Sequence, residues 1–150
     1  MKIIKEQSIR AANELLKEKD LLDDCRALAR KCEGDPKRSH KDLVNELGFG
    51  DPPTIPMRGN KPQLDAYHGK EKVGIEREMR EQMNVRSHLM FAEVGYQEGY
   101  LDVIVFILPT KNENDKATYE RTLHELIDSE LFTKYFQLDV PTYLIGVESE

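Results

Sequence analysis

The longest apolar run in the chain is LDVIVFILP, residues 101–109, and it restricts the fold more than any other segment. Nearly all of its residues are apolar, many are β-branched, and its length is that of a strand. A strand without polar alternation is typical of a sheet that is covered on both faces. The run therefore predicts a central, fully buried strand, and Pro109 is expected to end it.

The other segments alternate between helical and extended patterns. Helices are predicted over residues 2–18, about 20–32, 84–97, 118–127 and 129–136, where apolar residues recur at spacings of three and four. Strands are predicted over residues 64–67 and 73–78, on either side of a turn around Gly69, and over residues 140–148. The predicted fold is α/β: a mixed sheet flanked by helices, in one domain of residues 1–150, since this length suits one core and is too short for two.

Composition and charge are those of an ordinary globular protein. The apolar share is 39% and the charged share is 33%. No apolar run approaches the roughly 20 residues of a spanning helix, and the N-terminus has no apolar leader, so a cytoplasmic protein without membrane contact is expected. The net charge of −6 argues against strong nucleic-acid binding by overall charge, but it does not exclude a local basic surface.

The chain has two cysteines, Cys25 and Cys32, which are too few and too widely spaced for a zinc cluster. On a helix over residues 20–32 they would lie near one face. We expect both to be buried thiols.

The stretch LDAYHGKEKVGIERE, residues 64–78, places three carboxylates in one hairpin. Side chains two apart on a strand share a face, so Glu76 and Glu78 are expected to point one way. Asp65 on the other strand is expected to lie opposite or diagonal to Glu76. Converging oxygen ligands are what Mg²⁺ prefers, so the stretch suggests a metal site.

The main-chain carbonyl of Arg77 falls between the two glutamates and is the natural backbone ligand of such a site. A divalent ion held there can activate a water and neutralise charge on a breaking phosphodiester. The competing interpretation is an edge strand with solvated carboxylates, and the spacing alone does not exclude it.

The hairpin and the segments after it resemble the BglII/BamHI branch of type II restriction endonucleases, within the PD-(D/E)XK nuclease superfamily. In that family an Asp precedes a vGIE-x-E/Q strand, a helix follows, and a G-x-(L/I)DV-x-V-x-(I/L)-(L/V)P strand supports the sheet. The corresponding segments here are LDAYHGKEKVGIERE and FAEVGYQEGYLDVIVFILP. The match covers roughly residues 60–110, and VPTYLIGV fits the next strand of the sheet.

The resemblance implies Asp65 and Glu76 as metal ligands. It implies Glu78 as the residue that positions or deprotonates the attacking water, at a place that is Lys in most of the superfamily and Glu or Gln in this branch. Arg77 departs from the pattern, since an apolar residue is more usual there. The implied activity is a Mg²⁺-dependent (Mn²⁺ being an alternative) endodeoxyribonuclease, working as a homodimer on double-stranded DNA.

Five basic side chains are candidate DNA contacts: Lys37, Arg38 and Lys41 in the loop PKRSHK, and Arg86 and His88 near the start of the helix after the hairpin. A solvated loop and ordinary helix capping are the competing interpretations. Two rival functions also remain open. One is a non-catalytic DNA-binding or regulatory protein on the same scaffold, which the acidic charge favours. The other is a nuclease for RNA or for damaged or branched DNA.

Overall fold

The computed structural model describes residues 1–31, 44–50, 64–77, 85–110 and 118–149. The strands are β1 (Lys2–Ile9), β2 (Ala66–His68), β3 (Val73–Arg77), β4 (Val103–Pro109) and β5 (Thr142–Glu148). The helices are α1 (Ala12–Glu18), α2 (Leu22–Arg30), α3 (Val85–Gln97) and α4 (Thr118–Ile127), followed by a π-helical turn (Leu131–Tyr135). No helix among the described residues is long and apolar enough to cross a membrane.

The strands form one mixed sheet in the order β1-β5-β4-β3-β2. The three inner strands run parallel to one another, whereas β1 and β2 are antiparallel to their neighbours. Every residue of β4 is buried, and the strand ends at Pro109. The prediction of a central buried strand is therefore confirmed.

Helices cover both faces of this sheet. The first core joins Val103, Val105 and Ile107 of β4 to Leu16 of α1 and Leu28 of α2. The second core joins Ile104, Phe106 and Leu108 of β4 to Leu89 of α3 and Leu126 of α4. Because successive side chains of a strand alternate between faces, one apolar strand supplies both cores. The predicted α/β sheet with helices on both sides is confirmed.

The predicted helix over residues 2–18 is wrong in its first half, where the chain forms strand β1. This strand pairs antiparallel with β5 along Lys2–Ile9 and covers an edge of the sheet that would otherwise be open. Its isoleucines have high strand propensity, and most of its side chains are exposed or half-buried, as in an edge strand. The partner strand lies at the other end of the chain, so local periodicity could not reveal the pairing.

Cys25 is completely buried in the first core. Burial raises the pKa of its thiol to about 12, which keeps it protonated and unreactive at neutral pH. The prediction of a buried thiol is confirmed for this residue, while Cys32 lies outside the described residues.

The corner between β1 and α1 uses two consecutive residues with left-handed backbone. Arg10 has a φ of 55° and Ala11 a φ of 59°, and neither is glycine. The hydroxyl oxygen of Ser8 accepts a hydrogen bond from the backbone N–H of Asn13 at 2.9 Å across this corner. The left-handed region costs an L-residue about 1–2 kcal/mol. The corner is therefore held in place by the packing on either side of it.

We predict that Ala11→Gly raises the free energy of unfolding by about 0.5–1 kcal/mol, because glycine relieves the left-handed strain at some cost in unfolded-state entropy. The matched control is Ala27→Gly, in the right-handed backbone of α2, which should lower it by about 1 kcal/mol. Urea unfolding monitored by circular dichroism measures both. Two variants that destabilise equally would contradict the prediction.

Candidate functional site

Strands β2 and β3 form an antiparallel hairpin whose open end carries the acidic residues. The register pairs Ala66 with Ile75 and His68 with Val73. Continuing that register by one residue sets Asp65 beside Glu76. A hydrogen bond supports this placement, since the backbone N–H of Arg77 donates to Oδ2 of Asp65 at 2.7 Å. The structure thus brings Asp65 to the carboxyl end of β3.

The two faces of β3 are occupied differently. Ile75 is fully buried in the first core, and this side chain anchors the strand. Gly74 lies on the other face, where a Cβ atom would come within 2.7 Å of Leu64 and 2.8 Å of Leu101. A side chain at this position would require the ends of both leucine side chains to shift. Glu76 is the next residue on the same face, and its side chain is only 13% exposed.

The parallel pairing with β4 determines the surroundings of Glu76. Glu76 is in register with Phe106, a residue of the second core, so the glutamate lies on the face that α3 and α4 cover. A carboxylate this close to an apolar core loses much of its hydration. It therefore gains from a cation or a hydrogen-bond donor held close to it.

His88, in the first turn of α3, lies beside this carboxylate. Its Nδ1 atom is 3.9 Å from Oε2 of Glu76, and its side chain is 29% exposed. The neighbouring residue Leu89 is buried in the second core and sets the orientation of the helix. The sequence predicts His88 as a DNA contact and gives no sign of its proximity to Glu76. The helical pattern of residues 84–97 indicated a buried face, but it did not indicate which strand that face would meet.

The other candidate residues are placed as follows. Arg86 forms an ion pair with Glu125 of α4, with its Nε atom 3.2 Å from Oε1, while 61% of the arginine side chain stays exposed. Its role as a DNA contact stays a prediction. Glu78, Lys37, Arg38 and Lys41 lie outside the described residues.

The possible metal ligands at the hairpin, Asp65 and Glu76, suit a divalent ion only in part. Within the described parts of the chain, no three His, Cys, Asp or Glu side chains form a group that could hold a metal ion. Mg²⁺ is usually bound by one or two carboxylates, with waters and substrate oxygens completing its shell. Asp65 and Glu76 meet that lower requirement, because they bring two carboxylates to the end of one strand pair.

Asp65 also stabilises the fold, so a test of its function must distinguish lost stability from lost activity. We predict that Asp65→Ala lowers the free energy of unfolding by about 0.5–1.5 kcal/mol, because the exposed hydrogen bond that Asp65 accepts from the Arg77 N–H is lost. Asp65→Asn keeps an acceptor oxygen and should lower the free energy of unfolding by less. Urea unfolding compares the two variants, and equal losses would show that the hydrogen bond does not contribute.

Comparisons with known proteins identify the fold. No protein-family model matches the chain, and no curated protein matches it. Among solved structures, the chain matches restriction endonuclease BglII complexed with a DNA 16-mer with a TM-score of 0.75 and 18% identity, over 100% of this chain and 79% of that one. It matches free BglII with a TM-score of 0.67 and 17% identity, over 100% of this chain and 81% of that one. The protein therefore has a BglII-like restriction endonuclease fold.

Proposed function

We propose that the protein is a divalent-metal-dependent endodeoxyribonuclease of the type II restriction kind. The observation that carries the proposal is the placement of Asp65 and Glu76 at the carboxyl end of β3, within the fold of a restriction endonuclease. In open sheets with parallel strands, ligands bind beyond the carboxyl ends of those strands. Both carboxylates lie at that edge.

In this proposal Asp65 and Glu76 hold a Mg²⁺ or Mn²⁺ ion, and the main-chain carbonyl of Arg77 contributes a further oxygen. The bound ion would neutralise charge on the scissile phosphate and lower the pKa of a water. Glu78 orients the attacking water and accepts its proton, as the sequence resemblance implies. The register of the hairpin and the burial of Ile75 keep Asp65 and Glu76 in position.

The proposed substrate is double-stranded DNA. The related BglII structure contains a DNA 16-mer, and we extend that partner to this chain on the likeness of the fold. The net charge of −6 requires that the DNA-facing surface be locally basic, which is the role proposed for Lys37, Arg38, Lys41, Arg86 and His88. A symmetric DNA site needs two copies of the cleft, so we propose a homodimer.

We predict that Glu76→Gln lowers the rate of plasmid cleavage in Mg²⁺ or Mn²⁺ by more than about 100-fold, since loss of a ligand should exceed the 10–100-fold cost of losing a supporting residue. The matched control is Glu98→Gln, an exposed glutamate just after α3, which should cut as the wild type does. Supercoiled plasmid at low salt is the substrate, with nicked and linear products separated on a gel. The proposal fails if the wild type does not cut, or if both variants cut equally well.

A non-catalytic DNA-binding protein on the same scaffold is the second candidate. It is favoured by the acidic net charge and by the lack of a three-residue metal group among the described residues. The two candidates differ in metal binding, because a binding protein has no need of an ion at Glu76.

Metal binding is therefore the second test. We expect calorimetry to show Mn²⁺ uptake by the wild type, weakened at least about tenfold in Glu76→Gln and in Asp65→Asn, because each variant removes a charged ligand. A protein that binds DNA but takes up no Mn²⁺ would support the non-catalytic candidate instead.

A further inference from the structure

We propose that Glu125 of α4 is a positioning residue for Arg86. Its carboxylate fixes the guanidinium by the Nε edge, so that the two Nη groups meet a backbone phosphate of bound DNA. This inference rests on the DNA substrate of the proposed function. It names a residue that the sequence motifs do not include, and it gives the ion pair between α3 and α4 a role in binding.

The contact between the two side chains uses only part of the arginine. Nε of Arg86 donates a hydrogen bond to Oε1 of Glu125 at 3.2 Å. A guanidinium carries its N–H donors in one plane, and most of them belong to the two Nη groups. The arginine side chain is 61% exposed. The contact through Nε therefore fixes one edge of the plane and leaves the Nη donors for another partner.

Glu125 is held more firmly than the arginine that it contacts. Its side chain is only 15% exposed, and the next residue, Leu126, is buried in the second core. The carboxylate thus belongs to the packed layer of the fold, while the arginine extends into solvent. An arginine has many rotamers, so restricting its orientation before DNA arrives reduces the entropy that is lost on binding.

The stability of the fold does not explain a carboxylate at this position. Oε2 of Glu125 is buried and accepts no hydrogen bond from the described part of the chain. A buried carboxylate oxygen without a donor is unfavourable. The ion pair offsets little of this, because a pair with a solvent-exposed partner contributes little to stability. Residues that are unfavourable for stability are expected mainly at functional sites.

Arg86 is placed where DNA is required by the proposed function. It lies in the first turn of α3, two residues before His88, whose Nδ1 atom is 3.9 Å from Oε2 of Glu76. This end of the helix therefore adjoins the proposed cleavage site. The planar donors of a guanidinium match the oxygens of a phosphate, so a phosphodiester is the partner that suits the Nη groups.

A negative charge beside a DNA contact has two opposite effects, and their signs distinguish positioning from simple charge. A glutamate that acts only through its charge repels phosphate, so its removal should strengthen DNA binding. A glutamate that positions Arg86 should behave in the opposite way. Its removal should weaken DNA binding even though the protein becomes less acidic.

The experiment is fluorescence anisotropy of the whole chain with a labelled DNA duplex of mixed sequence, in EDTA so that no cleavage occurs. We expect Glu125→Met to weaken binding about three- to tenfold and to reduce the slope of log K against log salt by about 1, because one phosphate contact is lost. Methionine is an unbranched helix former without a charge. The matched control is Glu120→Met on the same helix, a half-exposed glutamate paired with Lys5, which should not weaken binding.

Variants of Arg86 test whether Glu125 acts through it. Arg86→Gln should weaken binding as Glu125→Met does, and adding Glu125→Met to it should have no further effect. Arg86→Lys keeps the charge without the planar donors and should restore only part of the affinity. An effect of Glu125→Met that is the same with and without Arg86 would indicate a purely structural role and would overturn the inference.

The outcomes separate this inference from the proposed function. Binding that is unchanged or strengthened in Glu125→Met overturns the role of Glu125, while plasmid cleavage by the wild type would still support the nuclease. A loss that depends on Arg86, in a protein that binds DNA without cutting it, supports the role of Glu125 and overturns the nuclease. A wild type that binds no DNA overturns the inference and the proposed substrate together. If circular dichroism shows that Glu125→Met does not fold, Glu125→Gln replaces it, and stronger binding by that variant overturns the inference.

Discussion

The structure depends on the parallel pairing of β3, β4 and β5 around a strand that is buried on both faces. Because β4 supplies side chains to both cores, its position determines where the helices of each layer can pack. The crossover helices α3 and α4 then lie on one face, and α1 and α2 on the other. A five-stranded sheet built in this way leaves the carboxyl ends of three parallel strands at one edge, where the candidate site is found.

The hairpin places two carboxylates at that edge, and their proximity lowers the stability of the fold. Asp65 and Glu76 are like charges on neighbouring strands, and the hydrogen bond from the Arg77 amide offsets part of their repulsion. Gly74 allows Leu64 and Leu101 to close over the strand just before Glu76. The end of β3 therefore combines apolar cover, a hydrogen-bonded aspartate and a largely buried glutamate.

The likeness to BglII concerns the backbone, because only 17–18% of the aligned residues are identical. A fold hosts many functions, so the proposed nuclease activity depends on particular side chains at the hairpin as well as on the architecture. His88 illustrates the point. It belongs to the helix that the shared fold places over the sheet, yet its approach to Glu76 comes from the residue that this chain has at that position.

The sequence by itself determined the central strand β4, the helices α2, α3 and α4, and the hairpin with Asp65 and Glu76, because hydrophobic periodicity and turn residues act over a few positions. Only the tertiary structure decided that residues 2–9 form a strand, because β1 pairs with β5, which lies near the other end of the chain. It alone also brought His88 to Glu76. Their proximity depends on how α3 packs across the sheet, and no local pattern encodes that distance.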